Sequence, residues 1–179
     1  MIRLPPREWG LVAAAGAVLI DQASKIAILY GMGLSAAFLA DDTISRPLLP
    51  FFNLTVHSNY GISFGLFPAN GPLGTGILVV LSLAATLFLG RWLWSSTRLA
   101  LAVGLGLCIG GALGNLVDRM IYGKVADFFD FHTGGYHWYV FNLADCAITL
   151  GVAALVYDTF FRPGTGDANG QAGESNDRQ

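Results

Sequence analysis

Four apolar stretches, each long enough to cross a bilayer, constrain this chain more than any other feature. They run from about Trp9 to Tyr30, Leu73 to Trp94, Leu99 to Ile121 and Phe141 to Phe161. A helix rises about 1.5 Å per residue and the hydrocarbon layer is roughly 30 Å thick, so each stretch suits one crossing. Charged residues make up only 12% of the chain, about half the share usual in a soluble domain. Lipid is therefore the expected solvent. The first stretch opens like a secretory signal, with Arg3 and Arg7 ahead of Leu11–Ile20. Polar Asp21-Gln22-Ala23-Ser24-Lys25 follows, the apolar pattern resumes, and no small-residue cleavage site closes the run. A retained helix is the expectation.

The fold class read from this pattern is an all-α membrane protein with four transmembrane helices and a small β-rich element on the outer side. Phe51–His57, Val125–Phe131 and Tyr136–Phe141 have strand character. Basic residues set the orientation. Arg3 and Arg7 precede the first helix, Arg91 and Arg98 flank the turn between the second and third, and Arg162 follows the fourth. In a four-span protein these places share one side, expected to be the cytoplasm, with both termini there. Residues 1–162 are expected to form one domain. The Gly-, Asp- and Asn-rich segment 163–179 reads as a disordered cytoplasmic tail.

The net charge of −2 gives no basic field for nucleic acid. Cys108 and Cys146 lie in apolar helical stretches without CxxC spacing, so they read as packing residues rather than a disulfide or zinc site. Gly106, Gly110 and Gly114 repeat every four residues on the third helix. That stripe lets a neighbouring backbone come close, inside the bundle or, as the lesser alternative, in a homodimer.

Charge inside a membrane helix is expensive and asks for a reason. The first helix carries Asp21 and Lys25, the third Asn115, Asp118 and Arg119, and the fourth Asn142 and Asp145. Asp21 lies about twelve residues along an outward-running helix, or roughly 18 Å. The other two sets lie at the outer ends of their helices, so topology alone gathers all three in the outer half. Each group also has a purely structural reading. Asp21 and Lys25 suit an i, i+4 ion pair. Asn115, Asp118 and Arg119 share one face and suit a bracing network. Asn142 suits an N-cap, with Asp145 as a first-turn acid. Asp127, in an outer loop between apolar Val125, Ala126, Phe128 and Phe129, is expected against the membrane surface.

Neither a nucleophile elbow nor HExxH is present, and His57, His132 and His137 belong to outer loops. Carboxylates remain as the reactive candidates. Two held close together share a proton, so one serves as acid and the other as base. Asp127 and Asp145 both fall at the outer surface, but spacing alone does not prefer Asp127 over Asp118.

At these residues the chain resembles the signal peptidase II family. Asp21-Gln22-Ala23-Ser24-Lys25 resembles its first-helix motif, and Asn59-Tyr60-Gly61-Ile62-Ser63-Phe64-Gly65 its outer-loop segment. Gly114-Asn115-Leu116-Val117-Asp118-Arg119, continuing through Gly123-Lys124-Val125-Ala126-Asp127-Phe128, is similar to its central motif. Phe141-Asn142-Leu143-Ala144-Asp145 is similar to the opening of its last helix. The resemblance implies a multi-pass aspartic endopeptidase of the bacterial inner membrane. Such an enzyme cuts diacylglyceryl-modified prolipoproteins before the lipidated cysteine, with no metal or organic cofactor. It implies Asp127 and Asp145 as the catalytic pair. Asn59, Asn115, Arg119 and Asn142 would shape the site and hold substrate, and Asp21, Lys25 and Asp118 would support it. Prolipoprotein and membrane lipids are the expected partners of a monomer. Ile62 and Ser63 replace a small pair common in the family, a departure that bears on specificity. A small transporter or channel and a non-enzymatic scaffold are the competing classes. The apolar inner halves of the helices and the lack of a repeat count against a transport path.

Overall fold

The computed structural model describes residues 4–61 and 71–161. Arg3, Ile62, Ser63, Phe64, Gly65, Arg162 and the expected tail 163–179 lie outside the described residues. Helix α1 runs from Pro6 to Ile26 and continues through a wider π turn over Ala27–Gly31. Pro at its first position suits a helix start, where the missing N–H is not needed. A short helix α2 (Ser35–Leu39) precedes strands β1 (Ile44–Leu49) and β2 (Phe52–Asn59). Helices α3 (Gly71–Trp94) and α4 (Leu99–Tyr122) follow, then β3 (Val125–Thr133), β4 (Tyr136–His137) and α5 (Leu143–Phe161). The spans starting at Pro6, Gly71, Leu99 and Leu143 are 26, 24, 24 and 19 residues long and predominantly apolar. The four expected crossings are therefore present, with ends shifted by up to three residues.

Helix α4 is the axle of the bundle, packed against α1, α3 and α5. Most of its residues from Leu101 to Asp118 are buried, whereas α3 buries only Leu78 and Leu93. Leu73, Leu87 and Phe88 of α3 are almost bare. Such a surface is stable only where lipid covers it. The expected glycine stripe packs within the bundle. A Cβ on Gly106 would sit 2.0 Å from the carbonyl oxygen of Gly10, and one on Gly110 would sit 2.5 Å from that of Ala14. Only glycine lets α1 and α4 approach this closely.

One end of the bundle is capped by an antiparallel sheet in the order β1-β2-β3-β4. Two expected strands fall where the sequence put them. The third is cut short. The stretch Tyr136–Phe141 pairs only at Tyr136–His137, after a tight turn through Gly134 and Gly135 at positive φ. Trp138 still donates its N–H to the carbonyl of Phe131 at 2.7 Å, and the chain pairs again at Phe141, which bridges Phe129. Strand β1 and helix α2 were not foreseen. Pro47 interrupts the β1 sequence and is tolerated because β1 is an edge strand. Two apolar clusters bracket a polar layer. Leu93, Leu101, Ala102, Leu105 and Ile109 pack at the end away from the sheet. Leu29, Leu34, Phe38, Val56 and Ala126 pack beneath it.

Candidate active site

The polar layer is built in two tiers. In the lower tier the ammonium of Lys25 lies 2.8 Å from Asp21, 2.9 Å from Asp118 and 3.2 Å from Asn115 Oδ1. Asp21 is fully buried, and Lys25 and Asp118 are nearly so. The i, i+4 pair read from the sequence is present, and Asp118 closes it from α4. Gln22, which the sequence reading passed over, donates to Asp21, Asp118 and the carbonyl of Gly114 at 3.0–3.2 Å. Burying this much charge is tolerable only because the ions are paired and hydrogen-bonded. The tier also grips two backbones. Asp21 Oδ1 accepts the N–H of Ala144 at 2.9 Å, and Asp118 Oδ2 accepts the N–H of Ala126 at 3.1 Å.

The upper tier follows directly, because Ala126 and Ala144 each precede an aspartate. Asp127, on β3, is fully buried. Its Oδ1 accepts from Asn142 Nδ2 at 2.6 Å and its Oδ2 from Asn59 Nδ2 at 2.9 Å. Asp145, in the first turn of α5, is half-buried. Its Oδ1 accepts from Asn115 Nδ2 at 3.1 Å and its Oδ2 from the N–H of Asn142 at 3.2 Å. Asn142 Oδ1 in turn accepts the N–H of Asp145 at 3.1 Å, a reciprocal cap of the helix start. The structural reading of Asn142 and Asp145 as cap and first-turn acid is thus met. The same Asn142 also links the two carboxylates. Burial, and next the negative charge of Asp145, push the Asp127 carboxyl up to about 8. The donors Asn59 and Asn142 and the charge of Lys25 pull the other way.

Arg119 leans over this pair from α4 and donates to the carbonyl of Gly61 at 2.7 Å. Asn59 Oδ1 accepts the N–H of Gly61 at 2.9 Å. One backbone residue is therefore held by two site side chains. Every candidate named from the sequence joins this connected network. The structure brings together Asp127, Asp145, Asn59, Asn115, Arg119, Asn142, Asp21, Lys25 and Asp118, and leaves none apart. His132 and His137 stand on the sheet around Asp130 instead, with His137 Nδ1 2.8 Å from its carboxylate.

A model of the signal peptidase II family matches residues 13–161. The chain belongs to the signal peptidase II family. It is 45% identical to the lipoprotein signal peptidase of Beijerinckia indica over 159 residues, 88% of this chain and 90% of that one. It is 43% identical to the lipoprotein signal peptidase of Methylocella silvestris over 172 residues, 96% and 97% of the two chains. The fold is similar to a bacterial membrane enzyme solved by the in meso method. The TM-score is 0.69 at 27% identity, covering 84% of this chain and 92% of that one. Membership makes this chain a multi-pass membrane peptidase that removes signal peptides from prolipoproteins. The transporter and scaffold readings are set aside.

Within this signal peptidase II site, Tyr139 was missed by the sequence reading. Its hydroxyl accepts from Asn59 at 2.8 Å. It lies in the short segment between Trp138 and Phe141 that carries no regular structure. Beside Asp145 lies a cavity of about 510 Å³ lined by Trp138, Tyr139, Phe141, Cys146, Ile148 and their neighbours. Its apolar walls with one convergent carboxylate have the composition of a binding cleft.

Proposed function

We propose that this peptidase is of the aspartic type, with Asp127 and Asp145 as its catalytic pair. Its substrates on this reading are diacylglyceryl-modified prolipoproteins, cut just before the lipidated cysteine. The observation that carries the reading is Asn142, bonded to Asp127 through its side chain and to Asp145 through its backbone. One residue thereby sets the two carboxyl groups in register.

The environments divide the roles. Asp127, raised to about 8, keeps its proton at neutral pH and donates it toward the scissile carbonyl oxygen. Asp145, half-buried beside the cavity, acts as base on a water molecule. The water oxygen attacks the carbonyl carbon as its proton passes to Asp145, forming a tetrahedral intermediate. The intermediate collapses by breaking the C–N bond: the proton on Asp145 passes to the departing amine, and the hydroxyl of the former carbonyl returns its proton to Asp127 as the C=O re-forms. Asn59 and Asn142 hold Asp127, Asn115 holds Asp145, and Arg119 supplies positive charge beside the pair. Lys25, Asp21 and Asp118 support them from below.

On the same reading residues 1–162 form one monomeric domain in the bacterial cytoplasmic membrane, surrounded by lipid. The clustering of Arg7, Arg91 and Arg98 at the end opposite the sheet supports cytoplasmic termini and a site at the outer face. The test is release of signal peptide from a purified diacylglyceryl-modified prolipoprotein in detergent. Wild type and Asp42→Asn, an exposed loop change, are expected to cleave. Asp127→Asn and Asp145→Asn are expected to fold and not cleave. Cleavage by either dyad variant removes that residue from the pair.

A further inference from the structure

Lys124 is a buried cation that the reaction does not use. Its side chain is 5% exposed, and it sits between the end of α4 and the start of β3. Its ammonium is ion-paired with Asp41, donates to the carbonyl of Phe38, and lies 4.6 Å from the centre of the Phe38 ring and 5.7 Å from that of Tyr60. The Tyr60 hydroxyl donates to Asp41, 2.7 Å from each carboxylate oxygen. Asp41 closes the C-terminal turn of α2 with φ at +62°, and no other non-glycine residue among those described has positive φ. Glycine is the residue usually found in such a turn. An aspartate there points to a use for its carboxylate.

Three segments meet at this ammonium: the cap of α2, the end of β2 and the start of β3. Two of them lead straight to the site. Tyr60 follows Asn59, and Lys124 is three residues ahead of Asp127. We infer that Asp41, Lys124 and Tyr60 are positioning residues that hold Asn59 against Asp127, so that the reaction rate depends on a cluster outside the catalytic pair. The inference rests on the reading of Asp127 as catalytic.

Neither Asp41 nor Tyr60 titrates over the working range. Hydrogen bonds from Lys124, Tyr60 and Ser58 hold Asp41 down at about 2, and burial together with Asp41 pushes Tyr60 up to about 12. A pH profile altered by changing the cluster therefore reports on the site. The groups that act on Asp127 there are Asp145, Asn59, Asn142, Lys25 and Arg119. Loosening the Asn59 donor removes a bond that lowers the Asp127 carboxyl, so the basic limb moves to higher pH.

The decisive variant is Asp41→Gly, which relieves the left-handed backbone while deleting the carboxylate. Tyr60→Phe and Lys124→Met remove the other members. Each is assayed for signal-peptide release across pH and melted in detergent, with Asp127→Asn alongside. The expected result for Asp41→Gly and Tyr60→Phe is a kcat about 10-fold lower, in line with a small misplacement of reacting groups. KM stays within about twofold and the basic limb moves up in both; Tm is little changed in Tyr60→Phe and falls in Asp41→Gly, where the buried Lys124 loses its counter-ion. Wild-type kcat in both variants overturns the inference, as does a loss that follows Tm with an unmoved basic limb. Cleavage by Asp127→Asn overturns the catalytic reading itself, whatever Asp41→Gly does.

Discussion

The backbone N–H of Ala126 donates to the carboxylate of Asp118 at 3.1 Å. In the same tier, the N–H of Ala144 donates to Asp21 at 2.9 Å. Lys25 lies between the two carboxylates. One ammonium thus steadies the pair of backbone positions that deliver Asp127 and Asp145.

Lys25→Met is expected to damage both fold and function. It leaves Asp21 and Asp118 buried without a counter-charge, a situation that costs about 3–5 kcal/mol. Thermal melts in detergent are expected to show a large fall in Tm, and prolipoprotein cleavage is expected to vanish. A variant that melts and cleaves like wild type would show that the lower tier does not support the site.

The rate is expected to fall as pH rises through about 8, because burial and Asp145 hold the Asp127 proton to that point. The sign for stability is the same. A carboxyl raised above its unfolded value favours the fold fully below the unfolded pKa, and this contribution is lost as pH passes the folded value. Initial rates measured from about pH 5 to 10 test the first statement, and melts over the same range test the second. A rate that keeps climbing through pH 9, about one unit past the raised value, removes Asp127 as the acid.

Gly106→Ala is expected to destabilise the bundle by about 2–3 kcal/mol. The added methyl meets the Gly10 carbonyl at 2.0 Å, while a methyl on Gly16 meets nothing within 4 Å. Gly16→Ala is therefore expected to be neutral or to raise stability by up to about 1 kcal/mol through helix propensity. Paired melting curves decide between this contrast and a general intolerance of change in the helices.

Arg98→Gln is expected to cost more than Asp158→Asn. Asp158 is fully buried near the end of α5, and Arg98, 45% exposed at the start of α4, lies 2.7 Å away. Losing the arginine strands the buried charge. Losing the charge leaves no ion buried, because the arginine is already 45% exposed, so the second change costs about 1–2 kcal/mol and the first somewhat more. Cleavage per folded molecule is expected to be unchanged in Asp158→Asn, since this pair lies at the end away from the site. Equal melting temperatures for the two variants contradict the asymmetry.

The helical frame was legible because a bilayer imposes one length on every crossing, and apolar runs of that length are plain in the sequence. The grouping of polar residues was legible for a related reason, since crossing direction fixes their depth. What spacing did not carry was the choice between Asp118 and Asp127. Both stand near the end of α4, and only the turn at Gly123 with the pairing of β3 on β2 turns Asp118 toward Lys25 and Asp127 toward Asn142. Tyr139 was hidden because its role depends on an irregular segment after a hairpin, which no periodicity marks. Gln22 was hidden by its motif neighbours, and Asp158 by its place at the far end of an apolar run. Strand β1 lacked a signal because Pro47 argues against a strand and only an edge position rescues it.

The cavity beside Asp145 is walled partly by Trp138 and Leu150, both largely exposed on the bundle's flank. On the proposed reading lipid covers this flank, and a substrate that enters the cleft from it arrives by sideways diffusion. Encounter then takes place in two dimensions. The quantity that governs turnover is the number of substrate molecules per unit area of membrane, and diluting the surrounding solution leaves it unchanged. Swelling the membrane with inert lipid slows the enzyme instead.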